Sequence, residues 1–431
     1  MDDCLFKGKT LLVLGSNVGA YDIVHYAKIN GAYTIVADYY PPEHSSAKKI
    51  ADEAVMISTA DSESLSKLIE DKHVDGILAG ISEFNLLKAM SLSEKYALPF
   101  FCTKEQWNRV ESKDQFRSLC EETGVPCPYT YFTGTKLPQS GLEKIKYPVV
   151  IKPVDASTSA GVHICMDEGE LKCAEEDSLS HSSCGKIIVE EFVKGNEFTA
   201  HYTISNGMPT LSCIDNRYPV AVHEGNVTTI PAARVFPSLF IDEYMVQVNE
   251  PMLRLCRSLG IKNGVLFIQG MYDSVDGFHI FEAGLRSAGE APYRFLERTN
   301  GINYMHVLVE HALLGKSVTF CPEKEDPYMK GKCCGIVSFV AKGGRVGRIE
   351  GLENAVKYTP SVIEYESRYP VGTETPNGDT LRQLMIRFVM ICDSREQMAE
   401  DIEYLNTHIT VLNDKGENMV FKMEPKRIFD Y

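Results

Sequence analysis

The sequence predicts a protein of mixed α/β and α+β class with more than one domain. Over the first hundred residues, short apolar strands at 11–15, 33–40 and 74–80 alternate with helical segments, a pattern typical of a parallel sheet. Between residues 147 and 204, strands follow one another across short turns, which indicates antiparallel pairing. After about residue 316, the pattern changes to short strands rich in glycine. The length of 431 residues fits roughly two to four domains.

The N-terminal part, up to a boundary predicted near residue 100, has the pattern of a Rossmann-like layer. Its motif GSNVGAYD at 15–22 follows a strand and begins a helix, but it lacks the G-x-G-x-x-G spacing of dinucleotide sites. Asp38 ends the second strand, where an acid that binds a ribose would lie. We interpret the motif as a tight turn between strand and helix, and an NAD-type oxidoreductase site is the alternative. A second domain boundary is predicted near residue 315, where a helix ends.

Composition and charge disfavour several classes of partner. The net charge of −15 repels nucleic acid and anionic membrane surfaces, so we expect neither as a partner. No apolar stretch approaches the roughly 18–20 residues of a membrane span. The 13 cysteines include no C-x-x-C pair, and the N-terminus does not resemble a secretory leader. These features predict reduced thiols in a cytoplasmic protein.

Two lysines stand where a cation is unfavourable unless it has a partner. Ser112 to Gln115 read as a capping box, which places Lys113 in the first turn of a helix, where its charge opposes the helix dipole. Lys152 lies in the apolar strand 149–153, and its burial would be costly without a partner. The loop 155–161 that follows is small and rich in hydroxyls, so it can approach phosphate groups closely. An exposed lysine and an ordinary hairpin are the alternatives.

Acidic and amide side chains cluster at two further places. Glu190, Glu191 and Glu197 surround a turn between two strands, which is typical of a solvated acidic rim and also fits a nucleotide-binding hinge. Gln269 and Glu282 lie on neighbouring strands and are expected to face each other. Two oxygen ligands beside phosphate-binding lysines suit Mg²⁺.

The order of these residues resembles the ATP-grasp superfamily of ligases. The ordered set is Lys113, Lys152, Glu190-Glu191-Phe192-Val193, Glu197, Gln269, Glu282 and Arg286. The segment 51–59 and Glu83 are similar to that superfamily's preceding domain. The part after residue 316 is similar to the C-terminal domain of the biotin-carboxylase and phosphoribosylglycinamide-synthetase branch, to which L-amino-acid ligases are also similar. The resemblance implies a pre-ATP-grasp domain at 1–100, an ATP-grasp domain at 101–315 with a small lid at about 120–195, and a C-terminal domain at 316–431.

The resemblance also implies a role for each of these residues. ATP and Mg²⁺ (or Mn²⁺) are the implied cofactors. The implied ATP-binding residues are Lys113, Lys152, Ser157, Thr158, Ser159, Glu190, Glu191, Phe192, Val193, Glu197 and Gln269. Gln269 and Glu282 would hold the metal, and Arg286 would be the catalytic residue that steadies the transferring phosphoryl group.

The implied reaction is ADP-forming ligation. ATP phosphorylates a small-molecule carboxylate, and an amine attacks the acyl phosphate to give an amide or peptide bond. By analogy with relatives, the chain would form a homodimer. The alternatives are an ATP-dependent carboxylase or carbamoyl-phosphate-type enzyme acting on bicarbonate, and a catalytically silent nucleotide-binding module.

One position departs from the superfamily's metal-binding pattern Glu-x-Asn-x-Arg. Gly284 stands where asparagine is expected, between Glu282 and Arg286. A water or another group would complete the metal shell, and Glu290 is a candidate for that role or for binding a substrate ammonium. In the stretch 214–238, predicted to be rich in loops, the candidates for pairing with a substrate carboxylate are Arg217 and Arg234, with ordinary loop cations as the alternative.

Overall fold

The first sheet has four parallel strands and is flanked by helices. In the computed structural model, which describes residues 4–138, 140–156, 160–220, 230–378 and 380–430, the strand order is β3-β2-β1-β4. The strands are β1 (Thr10–Leu14), β2 (Tyr33–Ala37), β3 (Glu53–Val55) and β4 (Gly76–Ala79). The helices are α1 (Ala20–Ile29), α2 (Ser46–Ile50), α3 (Ser62–Lys72) and α4 (Glu83–Lys95). The carboxyl ends of these strands share one edge, which is where ligands of parallel sheets bind.

Three helices and a small antiparallel sheet follow. The helices are α5 (Lys104–Glu111), α6 (Lys113–Thr123) and, after strand β7, α7 (Glu168–Ser180). The strands are β5 (Thr130–Gly134), β6 (Val149–Pro153), β7 (His163–Cys165) and β8 (Ile187–Glu191), in the order β5-β8-β6-β7. Alternate apolar residues of these strands pack on α7 to form a separate small core.

A second antiparallel sheet forms the centre of the molecule, in the order β10-β9-β13-β14. Its strands are β9 (Asn196–Ser205), β10 (Met208–Ile214), β13 (Gly264–Asp273) and β14 (Gly277–Gly284). The helices nearby in sequence are α8 (Ile241–Tyr244), α9 (Glu250–Ser258), α10 (Tyr293–Asn300) and α11 (Tyr304–Leu314). One continuous apolar core joins this sheet to the first sheet, so the two are packed together.

The C-terminal sheet has the order β11-β12-β15-β19-β17, with β21 beside β15. Its strands are β11 (Asn216–Val220), β12 (Ile230–Phe236), β15 (Cys333–Ala341), β17 (Val362–Ser367), β19 (Leu384–Cys392) and β21 (Val420–Phe421). A three-stranded sheet contains β16 (Gly344–Glu350), β18 (Glu374–Thr375) and β20 (Thr410–Asn413), and the helices are α12 (Leu352–Lys357) and α13 (Arg395–His408). Strands β11 and β12 lie in the stretch predicted to be rich in loops, and this prediction is wrong for these residues because β11 pairs with β12 and β12 pairs with β15.

The predicted class of α/β and α+β is confirmed by the parallel first sheet and the antiparallel sheets that follow. All of the cysteines are free thiols. Within the described ranges, every helix is too short or too polar to cross a membrane.

Candidate active site

Three buried side chains from three different elements meet at Glu190, at the end of β8. The Glu190 carboxylate accepts hydrogen bonds from Arg117 Nε and, at 3.1 Å, from Arg117 Nη2, and its Oε2 lies 2.7 Å from Lys152 Nζ. Arg117 also donates to the carbonyl oxygen of Phe281 at 2.8 Å. The Lys152 side chain is only 9% exposed, and a buried lysine requires an anionic partner. That partner is Glu190.

This cluster carries more positive than negative charge. Burial raises the pKa of Glu190, but the adjacent Lys152 and Arg117 outweigh burial and lower the pKa to about 2. Burial lowers the pKa of Lys152, and the charges of Arg117 and Lys113 add to that effect against Glu190. One carboxylate therefore faces three cations, and an anion bound beside them would relieve the imbalance.

Lys113 is the first residue of α6, and its Nζ donates to the carbonyl oxygen of Ala156 at 2.7 Å. The predicted capping box is wrong, because Ser112 Oγ donates to Asp114 Oδ1 and makes no cap bond. Asp114 Oδ1 instead accepts from the backbone N–H of Gln115. The lysine nevertheless reaches the end of β6, where it lies near Lys152.

The predicted phosphate loop and hinge are only partly described. Ser157, Thr158 and Ser159 lie outside the described residues. At the predicted hinge, Glu191 Oε1 accepts from the N–H of Tyr129 at 2.8 Å, and Phe192 N donates to the carbonyl of Pro148 at 3.2 Å. Val193 follows in the connection between β8 and β9.

Gln269 and Glu282 are directly opposite each other on β13 and β14. Cross-strand neighbours present their side chains on the same face of the sheet. Neither side chain has a hydrogen-bond partner within the described part of the chain, and both are partly buried. The two oxygen donors are therefore available to a cation. No group of three or more His, Cys, Asp and Glu side chains in the described ranges is placed to hold a metal.

Gly284 is explained by its contact with an aromatic ring. A Cβ at this position would lie 2.3 Å from Cε1 and 2.5 Å from Cζ of Phe267. The same ring lies under Arg286, whose Cζ is 4.9 Å from the ring centroid. The Phe267 ring thus occupies the space that an asparagine side chain at position 284 would need.

Arg286 is held in place by an ion pair to a residue that flanks the first sheet. Its Nη2 lies 2.9 Å from Oε1 of Glu83, the first residue of α4, and its Nε is buried without a hydrogen-bond partner in the described residues. The guanidinium is therefore fixed between the Phe267 ring and the Glu83 carboxylate.

Glu111 is a site residue that the sequence reasoning missed. It ends α5, and its Oε1 accepts from the N–H of Leu285 at 2.9 Å. Burial raises its pKa to about 7, with Glu83 and Glu282 adding to burial and Arg286 opposing it. An acidic residue in the last turn of a helix opposes the helix dipole, and this was the signal available in the sequence.

The three residues predicted to bind substrate lie close to carboxylates or cations of the chain itself. Arg217 Nη1 donates to Glu197 Oε2, and Arg234 Nη1 lies 2.7 Å from Oδ2 of Asp215. Oε1 of Glu290 lies 3.5 Å from Arg234 Nη1 and 3.6 Å from Nε2 of His201.

The charge on Glu290 is stabilised by these neighbours. Burial raises the pKa of Glu290, but Arg234 and His201 outweigh burial and hold the pKa well below its usual range. Glu290 is therefore an ionised carboxylate that is largely buried beside two cationic or polar partners.

The predicted residues form three adjoining groups. Lys113, Lys152 and Glu190 form the first, and Arg117 connects it to the second through its bond to Phe281, next to Glu282. Gln269, Glu282 and Arg286 form the second. Gln269 pairs in register with Thr199, whose Oγ1 accepts from Arg234 in the third group, which comprises Glu197, Arg217, Arg234 and Glu290. These contacts link the three groups, so that cations, oxygen donors and a fixed arginine follow one another.

Comparison with known proteins finds similarity to part and to nearly the whole of the chain. Residues 145–291 match the family model described as the ATP-grasp domain. The carbamoyl phosphate synthase large chain, N-terminal section, of Methanopyrus kandleri is 25% identical over 267 residues, which are 59% of this chain and 46% of the relative. The chain thus spans about half the length of that relative.

Solved structures show the same fold over nearly the whole chain. The L-amino acid ligase from Bacillus licheniformis has a TM-score of 0.75 at 18% identity, covering 94% of this chain and 99% of that one. The biotin carboxylase domain dimer of the Hydrogenobacter thermophilus 2-oxoglutarate carboxylase, in complex with MgADP, ADP and bicarbonate, has a TM-score of 0.73 at 16% identity, covering 98% and 99%. At these identities the likeness establishes the fold, and the predicted ATP-grasp architecture is confirmed.

Proposed function

Because residues 145–291 of this chain belong to the ATP-grasp family, we propose that the protein is an ADP-forming ligase that joins a small-molecule carboxylate to an amine. The observation that carries the proposal is the buried cluster at Glu190, where Lys152 and Arg117 share one carboxylate and Lys113 lies nearby. In a chain with a net charge of −15, such a local excess of cations is suited to a polyphosphate.

ATP would lie along the groups in the order of the chain. Lys113 and Lys152 would bind the α- and β-phosphates, with the 155–161 loop over them. The adenine would bind at the connection Glu190–Val193, and Glu197 would bind the ribose, exchanging part of its contact with Arg217 for the hydroxyls. Binding of an adenine nucleotide, though not this placement of it, is supported by the ADP and MgADP named in the Hydrogenobacter complex.

Gln269 and Glu282 fit a divalent cation, since both are oxygen donors in register and without hydrogen bonds in the described residues. When bound, Mg²⁺ (or Mn²⁺) would supply positive charge that offsets the charge of the phosphate groups. Glu111 lies close enough to Glu282 for the charge of Glu282 to raise the pKa of Glu111.

The chemistry needs two transfers. An oxygen of the substrate carboxylate attacks the γ-phosphorus of ATP, and ADP leaves. The amine nitrogen then attacks the acyl carbon, inorganic phosphate leaves, and the nitrogen loses a proton. Arg286, fixed by Glu83 and Phe267, would bind the oxygens on which charge develops. Ionised Glu290 would hold the substrate ammonium, which must release a proton to solvent before its nitrogen can attack.

Three units would share this work: a pre-ATP-grasp domain at 1–100, an ATP-grasp domain at 101–315 and a C-terminal domain at 316–431. Both substrates would enter where the edge of the first sheet meets the loop at Arg286 to Glu290.

Activation of bicarbonate is the second candidate. It is supported by the names of two compared proteins, a carbamoyl phosphate synthase and a carboxylase crystallised with bicarbonate. The two candidates differ in what must be added to ATP before ADP is released.

A coupled ADP-release assay tests the proposal. The chain is supplied with Mg²⁺ and ATP and with single amino acids, pairs of amino acids, or bicarbonate. Release that requires both an acid and an amine supports the ligase, and mass spectrometry should then find the amide. Release with bicarbonate alone would favour the second candidate. ATP binding without release under every condition would overturn both.

A further inference from the structure

One face of the C-terminal sheet is turned towards the candidate active site and carries Arg387. This residue lies on β19 between Ser338 of β15 and Glu366 of β17. Its neighbour Phe388 packs into the C-terminal core, whereas Val389, two residues along on the same face, packs into the core of the first and central sheets. The guanidinium accordingly reaches the loop after β14.

The contacts of Arg387 in that loop are weak. Its Nη2 donates to the carbonyl oxygens of Gly289 at 3.3 Å and Glu290 at 3.5 Å. Its Nε is buried with no acceptor, and Nη1 makes no hydrogen bond within the described ranges. Nη1 is not among the buried atoms, so it is the nitrogen that a ligand can reach.

Arg387 differs from the other arginines of this region in having no ion pair. Arg217 is paired with Glu197, Arg234 with Asp215, and Arg294 with Asp22 at 3.3 Å and with Glu364. Among the described residues, no carboxylate lies within ion-pair distance of the Arg387 guanidinium.

The surroundings make this cation unfavourable by itself. Burial and the neighbouring Arg368 lower the pKa of Arg387 to about 10, while Glu366 and Glu290 oppose them. A guanidinium taken from water keeps its charge at a cost unless an anion and hydrogen-bond acceptors replace the water. A planar fork of N–H donors is suited to the oxygens of a carboxylate or a phosphate.

We propose that Arg387 binds the anionic group of the amine substrate, a carboxylate or a phosphate monoester, beside the turn at Gly289 and Glu290. The identification of the ligand as the second substrate rests on the function proposed above. With the ammonium at Glu290 and the oxyanion at Nη1 of Arg387, an amino acid or an aminated sugar phosphate would be held at both ends. The predicted substrate arginines, Arg217 and Arg234, are already neutralised by carboxylates of the chain.

Calorimetric titration of the full chain, saturated with Mg²⁺ and the ATP analogue AMP-PNP, tests this proposal. The probes are two matched pairs: L-alanine against L-alaninamide, and ribose 5-phosphate against ribose. We expect one anionic probe to bind more tightly than its neutral partner. Arg387→Gln should weaken the binding of that probe by on the order of tenfold or more, which is the loss expected for a charge-assisted contact. The affinity for the neutral partner should be unchanged. The pair that responds identifies the carboxylate or the phosphate.

Two further variants keep the test decisive. Arg348→Gln removes an arginine of β16 whose side chain is 60% exposed, and it should bind every probe as the unchanged chain does. Arg387→Lys keeps the charge but not the fork, so it should bind the anionic probe more weakly than arginine even if the glutamine variant does not fold. The proposal is overturned if neither anionic probe binds better than its neutral partner, or if both Arg387 variants keep that preference.

The outcome can be separated from that of the proposed function. Binding that depends on Arg387 without ADP release under any condition would remove the ligase proposal and leave the anion site. If ADP release required both an acid and an amine but substitution of Arg387 changed neither release nor probe binding, the ligase proposal would stand and the anion site would be removed.

Discussion

Glu83 and Arg286 form an ion pair of 2.9 Å that joins the first turn of α4 to the loop after β14. The two residues are 203 positions apart. Glu83 begins a helix that flanks the first sheet, and Arg286 follows a strand of the central sheet. The Arg286 guanidinium also lies over the Phe267 ring, so its position is set from both sides. Glu83 is therefore a positioning residue for the arginine assigned to phosphoryl transfer.

We expect Glu83→Gln to lower kcat for ADP release by about tenfold or more, because a displaced catalytic group reduces the rate steeply. The KM for ATP should change little, since Glu83 has no contact with the lysine cluster. Arg286→Ala should abolish release. The control is Glu63→Gln, which changes an exposed glutamate in the first turn of α3. Equal kcat values for the two glutamine variants would show that Glu83 does not position Arg286.

The packing of Gly284 against Phe267 gives a second prediction. Gly284→Ala should lower the apparent melting temperature by several degrees, because its Cβ would overlap the ring and overpacking destabilises by about 1–3 kcal/mol. Gly284→Asn should lower it further. In the double variant Phe267→Ala with Gly284→Asn, the two effects should be less than additive, because the smaller side chain makes room for the amide.

Gly378→Ala is the matched control for this series, since a Cβ there would contact nothing within 4 Å. Strict additivity of the effects at positions 267 and 284 in thermal unfolding would contradict the steric explanation of Gly284.

Part of this site could be read from the sequence because the governing rules are local. The alternation of side chains along a strand predicts that Glu197, Thr199 and His201 share a face, and Thr199 and His201 do contact Arg234 and Glu290, which themselves lie 3.5 Å apart. The cost of burying Lys152 predicts that it has a partner. Neither rule says which partner it is.

The remainder depends on contacts between residues far apart in the chain. Arg117 reaches Glu190 across 73 positions, and Glu111 reaches Leu285 across 174. Both are on helices whose orientation is fixed by tertiary packing. The capping box failed for a local reason: Ser112 directly follows α5, where its N–H donates to the carbonyl oxygen of Asn108. Asp114 accepts from the Ser112 hydroxyl and from the N–H of Gln115.

Lys152→Ala should abolish ADP release while the chain remains folded, because Arg117 still neutralises Glu190. Glu282→Ala should do the same through loss of a metal ligand. Circular dichroism and the melting temperature verify folding, and Lys186→Ala, which alters an exposed lysine before β8, serves as the control. If the Lys152 and Glu282 variants both kept full activity, the assignment of the phosphate and metal sites would be wrong.

Glu190→Gln should be more damaging to stability than Lys152→Ala. The change leaves Lys152 and Arg117 buried without a carboxylate, and breaking a buried pair in this way costs about 3–5 kcal/mol. The folded-state pKa of Glu190 is lowered to about 2. Its contribution to the free energy of unfolding is therefore fully present above its unfolded-state pKa of about 4.3 and is lost as the pH falls towards 2. The difference in melting temperature between the unchanged chain and the variant should therefore shrink from pH 5 to pH 2.5.

The exposed Glu176 provides the control for that titration, since Glu176→Gln should give a small difference that does not depend on pH. A difference for Glu190→Gln that stayed constant down to pH 2.5 would mean that the carboxylate is not held ionised by the two cations.

Glu111 should show the opposite dependence on pH. Its folded-state pKa is raised to about 7, so the protonated form is favoured in the folded chain, and the stability linked to it is present below about pH 4.3 and is lost as the pH rises through 7. Glu111→Gln imitates the protonated carboxyl and keeps an oxygen for the N–H of Leu285. We expect the variant to melt several degrees above the unchanged chain at pH 8.5 and at nearly the same temperature at pH 5. Glu105→Gln, at the exposed start of the same helix, should have no such effect. A Glu111→Gln variant that melts lower at pH 8.5 would show that the ionised carboxylate, and with it the bond to Leu285, stabilises the loop that carries Arg286.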